Sequence, residues 1–210
     1  MKNNNIIEEY NKFYSDIDFE RSQLFELLKD EYGCNYILYP GCSIHITPSF
    51  FFQHVIYIDK SAAAKEFFRN SEEIISFVNG NKKYNQQPYI EFLDNDYKEP
   101  LPLRENQYDL LISLYAEGVS SSCKKYLKPG GIILSNNHLK DVTEAMQDSS
   151  VVLTALIRKK GKKYMLFKGT EEELLKSAEL TGTPKKNIVN WHHGIKYEDT
   201  ECYYVLKKVR

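Results

Sequence analysis

The chain has 210 residues, 42% of them hydrophobic, and a formal net charge of −1. That is enough apolar side chain to bury a core, which excludes a disordered chain, and the bulk charge calls for neither a nucleic-acid nor a membrane partner. The charge is nonetheless uneven: residues 1–150 carry 15 basic and 22 acidic side chains, residues 151–210 carry 13 and 7. Four cysteines, Cys34, Cys42, Cys123 and Cys202, form no C-x-x-C pair and no metal-ligand spacing, so free thiols in a reducing compartment are expected. The start, "MKNNNIIEEY", is polar and soon acidic, unlike a signal peptide. No apolar run approaches the roughly 20 residues that span a bilayer. The expected localisation is cytoplasmic.

Taken in chain order, residues 4–32 read as helix. Ile6, Ile7, Tyr10, Phe13 and Tyr14 recur at helical spacing, and Asp18 is placed to cap a second segment striped by Leu24, Phe25, Leu27 and Leu28. Gly33 is the expected stop. "NYILY" and "HVIYID" read as buried strands ending at Pro40-Gly41 and at Asp59, and Thr47-Pro48 between them resembles a helix start. "KSAAAKEFF" and "SEEIISFVNG" are expected helices, the second running from a Ser71 cap to a Gly80 stop. "YIEFL" is a third strand and "YDLLISLYA" a fourth. A short helix over "SSSCKKYL", a "KPGG" turn and the strand "IILSN" follow, then a helix capped by Asp141. After residue 150 the pattern turns antiparallel. "VVLTALIR" and "YMLF" read as the arms of a hairpin around the basic tip "KKGKK". Thr170 and Glu173 form a capping box for a helix ending at Gly182. "TPKKNIVNWHHGIKYEDT" reads as irregular, and "CYYVLKKV" as the closing strand.

Strands alternating with helices predict a doubly wound α/β fold: a Rossmann-like, mainly parallel seven-stranded sheet, one antiparallel strand near the C-terminus, and helices on both faces. No repeat or linker divides the chain. The expectation is one domain over 1–210, with an N-terminal helical cap (1–34), a core (35–150) and a C-terminal hairpin, helix and closing strand (151–210).

Open α/β sheets bind ligands beyond the carboxyl ends of their strands. The residues standing there are Gly41-Cys42-Ser43, Asp59, Asp96, Ser113-Leu114-Tyr115 and Asn136-Asn137-His138. A carboxylate after the second strand can accept bonds from both hydroxyls of a ribose. A second acid one strand over can receive an adenine amino group, and a tight turn after the first strand lets backbone approach a ligand. Each has a plainer counterpart. Gly41 can simply end a strand, Asp59 can cap the next helix, Asp96 can be a solvated turn acid, and Cys42 can be a buried filler.

The series resembles the class I S-adenosylmethionine-dependent methyltransferases, over about Tyr36 to Asn136. "YDLLISLYAEG" followed by "YLKPGGIIL" carries most of the likeness, with "DNDYKEPLPLRENQYD" fitting the third-strand loop. Two departures stand out: Tyr39 replaces the family's usual acid, and Ser43 and His45 stand where further glycines follow Gly41. The resemblance implies S-adenosylmethionine as cofactor, contacted by Gly41, Cys42, Ser43, Asp59, Lys60, Asp96, Tyr97 and Leu114. Substrate would enter over Tyr115, Asn136 and His45, with His138 as the candidate general base. The expected acceptor is a small molecule, with RNA or protein behind it; nucleic acid is possible but not indicated, and no metal is implied. The alternative is a methyltransferase-like binding or regulatory domain without catalysis. A dehydrogenase is disfavoured because "GCSIHI" lacks the backbone approach a pyrophosphate needs. "WHHG" lacks a third metal ligand at useful spacing. "RKKGKK" reads first as an exposed hairpin tip and second as an anion contact.

Overall fold

The computed structural model describes residues 6–137, 140–161, 163–180, 188–191, 194–197 and 202–210. The helical N-terminus is two pieces. α1 (Ile6–Tyr10) runs into a π turn, Asn11–Ser15, and α2 (Ser22–Tyr32) starts afresh. Between them Asp18 (φ 55°) and Arg21 (φ 59°) are left-handed. Asp18 therefore caps nothing: Arg21 is the residue before α2. Gly33 ends α2 as expected, left-handed and with its amide on the Lys29 carbonyl.

β1 (Tyr36–Pro40), α3 (Pro48–Phe51), β2 (His54–Ile58), α4 (Ala62–Phe68), α5 (Ser71–Asn81), β3 (Tyr89–Leu93) and β4 (Tyr108–Ser113) follow. Ser61 caps α4 through the Ala64 amide. In α5, Asn70 rather than Ser71 is the cap residue, and Gly80 lies inside the helix. Next come α6 (Val119–Cys123), β5 (Leu127–Ser135), α7 (Asp141–Ala145), β6 (Val151–Lys160), β7 (Lys163–Lys168) and α8 (Glu171–Leu180). The Thr170–Glu173 capping box is formed in both directions. β8 (Ile188–Trp191) pairs with β9 (Gly194–Tyr197), so part of the stretch expected to be irregular is a two-stranded ribbon, and β10 (Cys202–Lys208) closes the chain. The expected Gly182 stop lies outside the described residues.

The main sheet has the order β3-β2-β1-β4-β5-β10-β6-β7. β1 to β5 pair in parallel, and β10 runs antiparallel to both β5 and β6. The sheet has eight strands where seven were expected. The hairpin partner β7 pairs with β6 along its length and becomes a second antiparallel strand at the edge. "KPGG" is not a free turn but part of β5, where the register against β4 slips between Tyr108 and Leu110 and Gly130 takes φ 83°.

One core lies between the sheet and α1–α5, with Tyr10, Leu24, Phe25, Tyr57 and Phe67 buried in it. The other lies on the opposite face, under α6, α7 and α8. Winding reverses between β1 and β4, which are neighbours, so a crevice is expected at their carboxyl ends. The opposite end is fastened by Asp109. Its Oδ2 accepts the amides of Asn35 and Tyr36, both at 2.8 Å, and its Oδ1 pairs with Lys128. Burial alone raises this carboxyl, but Lys128 and the two amides outweigh it and hold the group below the usual carboxylate range. The Asp of "YDLL" is thus a clamp at the amino end of the sheet.

Candidate functional site

At the end of β1, Gly41 takes φ +66° and donates its amide to the Ile58 carbonyl at 2.7 Å. A Cβ on Gly41 would sit 2.6 Å from the Ala116 Cβ and 3.6 Å from the Tyr97 ring. Neighbouring protein atoms therefore account for the glycine. Ser43 is also left-handed, at φ +51°. Its amide donates to Asp59 Oδ2 at 2.8 Å, while Asp59 Oδ1 accepts the Ser61 amide at 2.8 Å. Asp59 ties the β1 loop to the start of α4. An ionised carboxylate offers about four acceptor positions, so these two bonds leave about two for hydroxyl donors.

The loops after β3 and β4 are also joined. Tyr97 donates its hydroxyl to the Glu117 carbonyl at 3.0 Å, and Lys98 pairs with Glu117 at 2.9 Å. Asp96 pairs with Lys60 at 2.7 Å and accepts the Lys98 amide. The Lys60 bond lowers the Asp96 carboxyl and raises the Lys60 ammonium. Both groups face water, so the pair adds little to stability. Gly41, Tyr97 and Ala116 meet where the three loops converge.

On the β4–β5 side, Leu114 and Asn136 are buried and Tyr115 is half-buried. Tyr115 is left-handed (φ 59°), and its amide reaches Asn136 Oδ1 at 3.5 Å. Below it, the buried Asp141 accepts the Ser113 hydroxyl (2.7 Å), the Ser120 hydroxyl (2.6 Å) and the Ser120 amide (2.9 Å). Asp141 was expected to cap its helix. It is instead the first residue of α7 and turns inward to join β4, α6 and α7. Cys42 is buried, and burial pushes its thiol up, which makes it an inert filler.

His45, expected near the substrate, is a buried staple. One ring nitrogen meets the Tyr39 hydroxyl at 3.0 Å and the other the Glu20 carbonyl at 3.1 Å. A carbonyl only accepts, so Nε2 carries the proton and Tyr39 donates to Nδ1. The same histidine stacks on Tyr14, ring centroids 4.5 Å apart. Phe19 lies 6.0 Å from Tyr115, and the Arg21 guanidinium sits 3.7 Å over Phe19 and 5.3 Å from Tyr115. Arg21 also donates to the Tyr203 hydroxyl and the Phe19 carbonyl, both at 3.0 Å. Tyr10 bonds Thr47 at 2.7 Å, so the Thr47 hydroxyl serves Tyr10 and makes no cap for α3.

Tyr14 was read only for its helical spacing, and Phe19 and Arg21 were not singled out, because periodicity says that the N-terminal helix packs on a face or covers the cleft but not which side chains do so. Their one signal was the cluster of aromatic and charged residues in "FYSDIDFER". His138 lies outside the described residues, as do His192, His193 and the side chain of Trp191. Among the described residues no three His, Cys, Asp or Glu side chains group as a metal site, and no helix is long and apolar enough to cross a membrane. A separate groove of about 320 Å³ opens at the β3 edge, lined by Lys65, Phe68, Ile74, Phe92 and Asp94 among others. It includes none of the loop residues above.

No protein-family model matches the sequence, and no curated protein matches it. Solved structures do. A SAM-dependent methyltransferase from Thermotoga maritima superposes with a TM-score of 0.55 at 9% identity, over 97% of this chain and 96% of that one. The StiE O-MT superposes with a TM-score of 0.51 at 12% identity, over 91% and 74%. The cyclase SpnF matches at 0.46 and 12%, over 64% of this chain and 58% of its own length. The chain has the Rossmann-like fold of class I S-adenosylmethionine-dependent methyltransferases.

Proposed function

We propose that the protein transfers a methyl group from S-adenosylmethionine to a small-molecule acceptor. The carrying observation is Asp59, a carboxylate at the end of β2 beside the β1–β4 switch point, with about two acceptor positions left after its two amide bonds. When bound, the cofactor supplies an electrophilic methyl on a sulfonium. Asp59 holds the ribose hydroxyls, and the Gly41–Ser43 turn and Leu114 border the rest. Lys60 and Asp96 hold each other at the adenine side, where Tyr97 supplies a ring face. Tyr14, Phe19 and Tyr115 exclude water from the transfer, and Asn136 fixes the Tyr115 backbone. The acceptor approaches over Tyr115 and Asn136.

A second reading, a binding domain without catalysis, is favoured by one contact: Ala116 fills the space beside Gly41 and Tyr97 leans on the same glycine. Calorimetry with S-adenosylhomocysteine separates the two readings, since a filled cofactor turn predicts no binding. Wild type should bind in the micromolar range. Asp59→Ala should weaken binding by about 10- to 100-fold, the worth of one or two charged hydrogen bonds. Thermal midpoints of both proteins check that the variant is folded. No heat at about millimolar ligand overturns the proposal.

A further inference from the structure

We infer that the β6–β7 hairpin is a docking surface for single-stranded nucleic acid at the rim that carries the candidate site. The topology places it. β10 is antiparallel to both β5 and β6, so β6 runs parallel to β5 and its basic end projects from the same edge as Gly41, Asp59 and Tyr115. The sequence alone gave a basic tip but not its side of the sheet.

The hairpin register then sorts the side chains. Arg158 opposes Met165 and Lys160 opposes Lys163, so these four share one face. Met165 and Phe167 on that face are 40% and 41% exposed, large apolar groups beside exposed cations. Arg158 lies 5.4 Å over the Phe167 ring, and on the other face Lys159 lies 5.6 Å over Tyr164. Lys160 and Lys163 are exposed and make no ion pair with a described residue. Cations set around an exposed ring, Phe167, are the chemistry that tracks a phosphate backbone and stacks a base.

Three of the four acids of α8, Glu171, Glu172 and Glu173, lie at the far end of β6, and Glu179 stands in its last turn. Glu171 reaches the Leu153 amide, whereas Arg158 near the tip bonds Ser177, further along the helix. The cluster of three acids therefore sits away from the rim. Distance favours a strand over a small anion. β6 is two strand spacings, about 10 Å, from β5. A small acceptor above β4 and β5 does not reach the tip lysines, whereas two or three nucleotides do. Binding here stands apart from methyl transfer and is measured separately from it.

The test is fluorescence anisotropy of a labelled oligouridylate of about 12 nucleotides with the full chain, titrated at several salt concentrations. Wild type should bind, and a Lys160→Ala/Lys163→Ala double variant should bind about tenfold or more weaker at low salt. Its log–log salt slope should be shallower by about 1.4, the loss of two phosphate contacts on a single strand. Both lysines are exposed, so the variant should keep the wild-type thermal midpoint. Phe167→Ala should weaken binding with the slope unchanged. Equal affinity of wild type and double variant overturns the inference. So does absence of binding at about 100 μM protein, or lysine-dependent binding only to vesicles with about a third anionic lipid. Calorimetry with S-adenosylhomocysteine is unaffected by any of these outcomes, so the two proposals fail independently.

Discussion

Replacing Gly41 with alanine should be among the costliest single-methyl additions in the molecule. At φ +66° an L-residue pays about 1–2 kcal/mol for the left-handed backbone. The new Cβ would also lie 2.6 Å from the Ala116 Cβ, well inside contact distance, and Ala116 has no rotamer with which to yield. Overpacking of this kind costs about 1–3 kcal/mol, so the expected total is about 2–5 kcal/mol. Urea denaturation followed by circular dichroism reads this as a lower midpoint at unchanged slope. The two terms separate in a double-mutant cycle. Ala116→Gly removes the opposing methyl, so the double variant should recover the overpacking share and keep the backbone share. A loss below about 0.5 kcal/mol for Gly41→Ala, or simple additivity in the cycle, would refute the claim that Ala116 is what demands the glycine.

Other expectations follow from buried polar contacts. Asp141→Ala removes the acceptor of two serine hydroxyls and one amide, and should cost about 3 kcal/mol in chemical denaturation, with Asp141→Asn costing less. Asp109 is held below the usual carboxylate range in the folded state. Its contribution is therefore complete above the unfolded value of about 3.9 and is lost as pH falls through the lower folded value. The thermal midpoint should drop on acidification below about pH 4, and Asp109→Asn should lower the midpoint at neutral pH while flattening that acid limb.

The alternating pattern, the mainly parallel sheet and the hairpin were legible because period and turn chemistry are local. The eighth strand was not counted, because edge pairing of "YMLF" is a matter of the whole sheet. The break at residues 16–21 was read only as a second segment capped by Asp18, since the apolar spacing of Ile6 to Leu28 continues across it. The left-handed Asp18 and Arg21 show that tertiary contacts to Glu20, Phe19 and Tyr203 override that spacing there. Position in the fold was legible from strand ends: Gly41, Asp59, Asp96 and Tyr115 all stand just past their strands. What sequence could not supply was who meets whom. His45 reads as a substrate-facing group from its place in the loop, yet both its nitrogens are taken by Tyr39 and Glu20. The "YD" aspartate reads as part of a family signature, and in the fold it fastens the end of the sheet remote from that loop.

The proposed methyl transfer requires the cofactor to sit where the β1, β2 and β4 loops meet. Amide chemical-shift mapping on labelled protein titrated with S-adenosylhomocysteine tests it most directly. The largest shifts are expected at Ser43 and Ser61, whose amides bond Asp59, together with Asp59 itself, Tyr97 and Tyr115. Shifts confined to Phe68, Ile74, Phe92 and Asp94 around the β3-edge groove, or no shifts at saturating ligand, would contradict it.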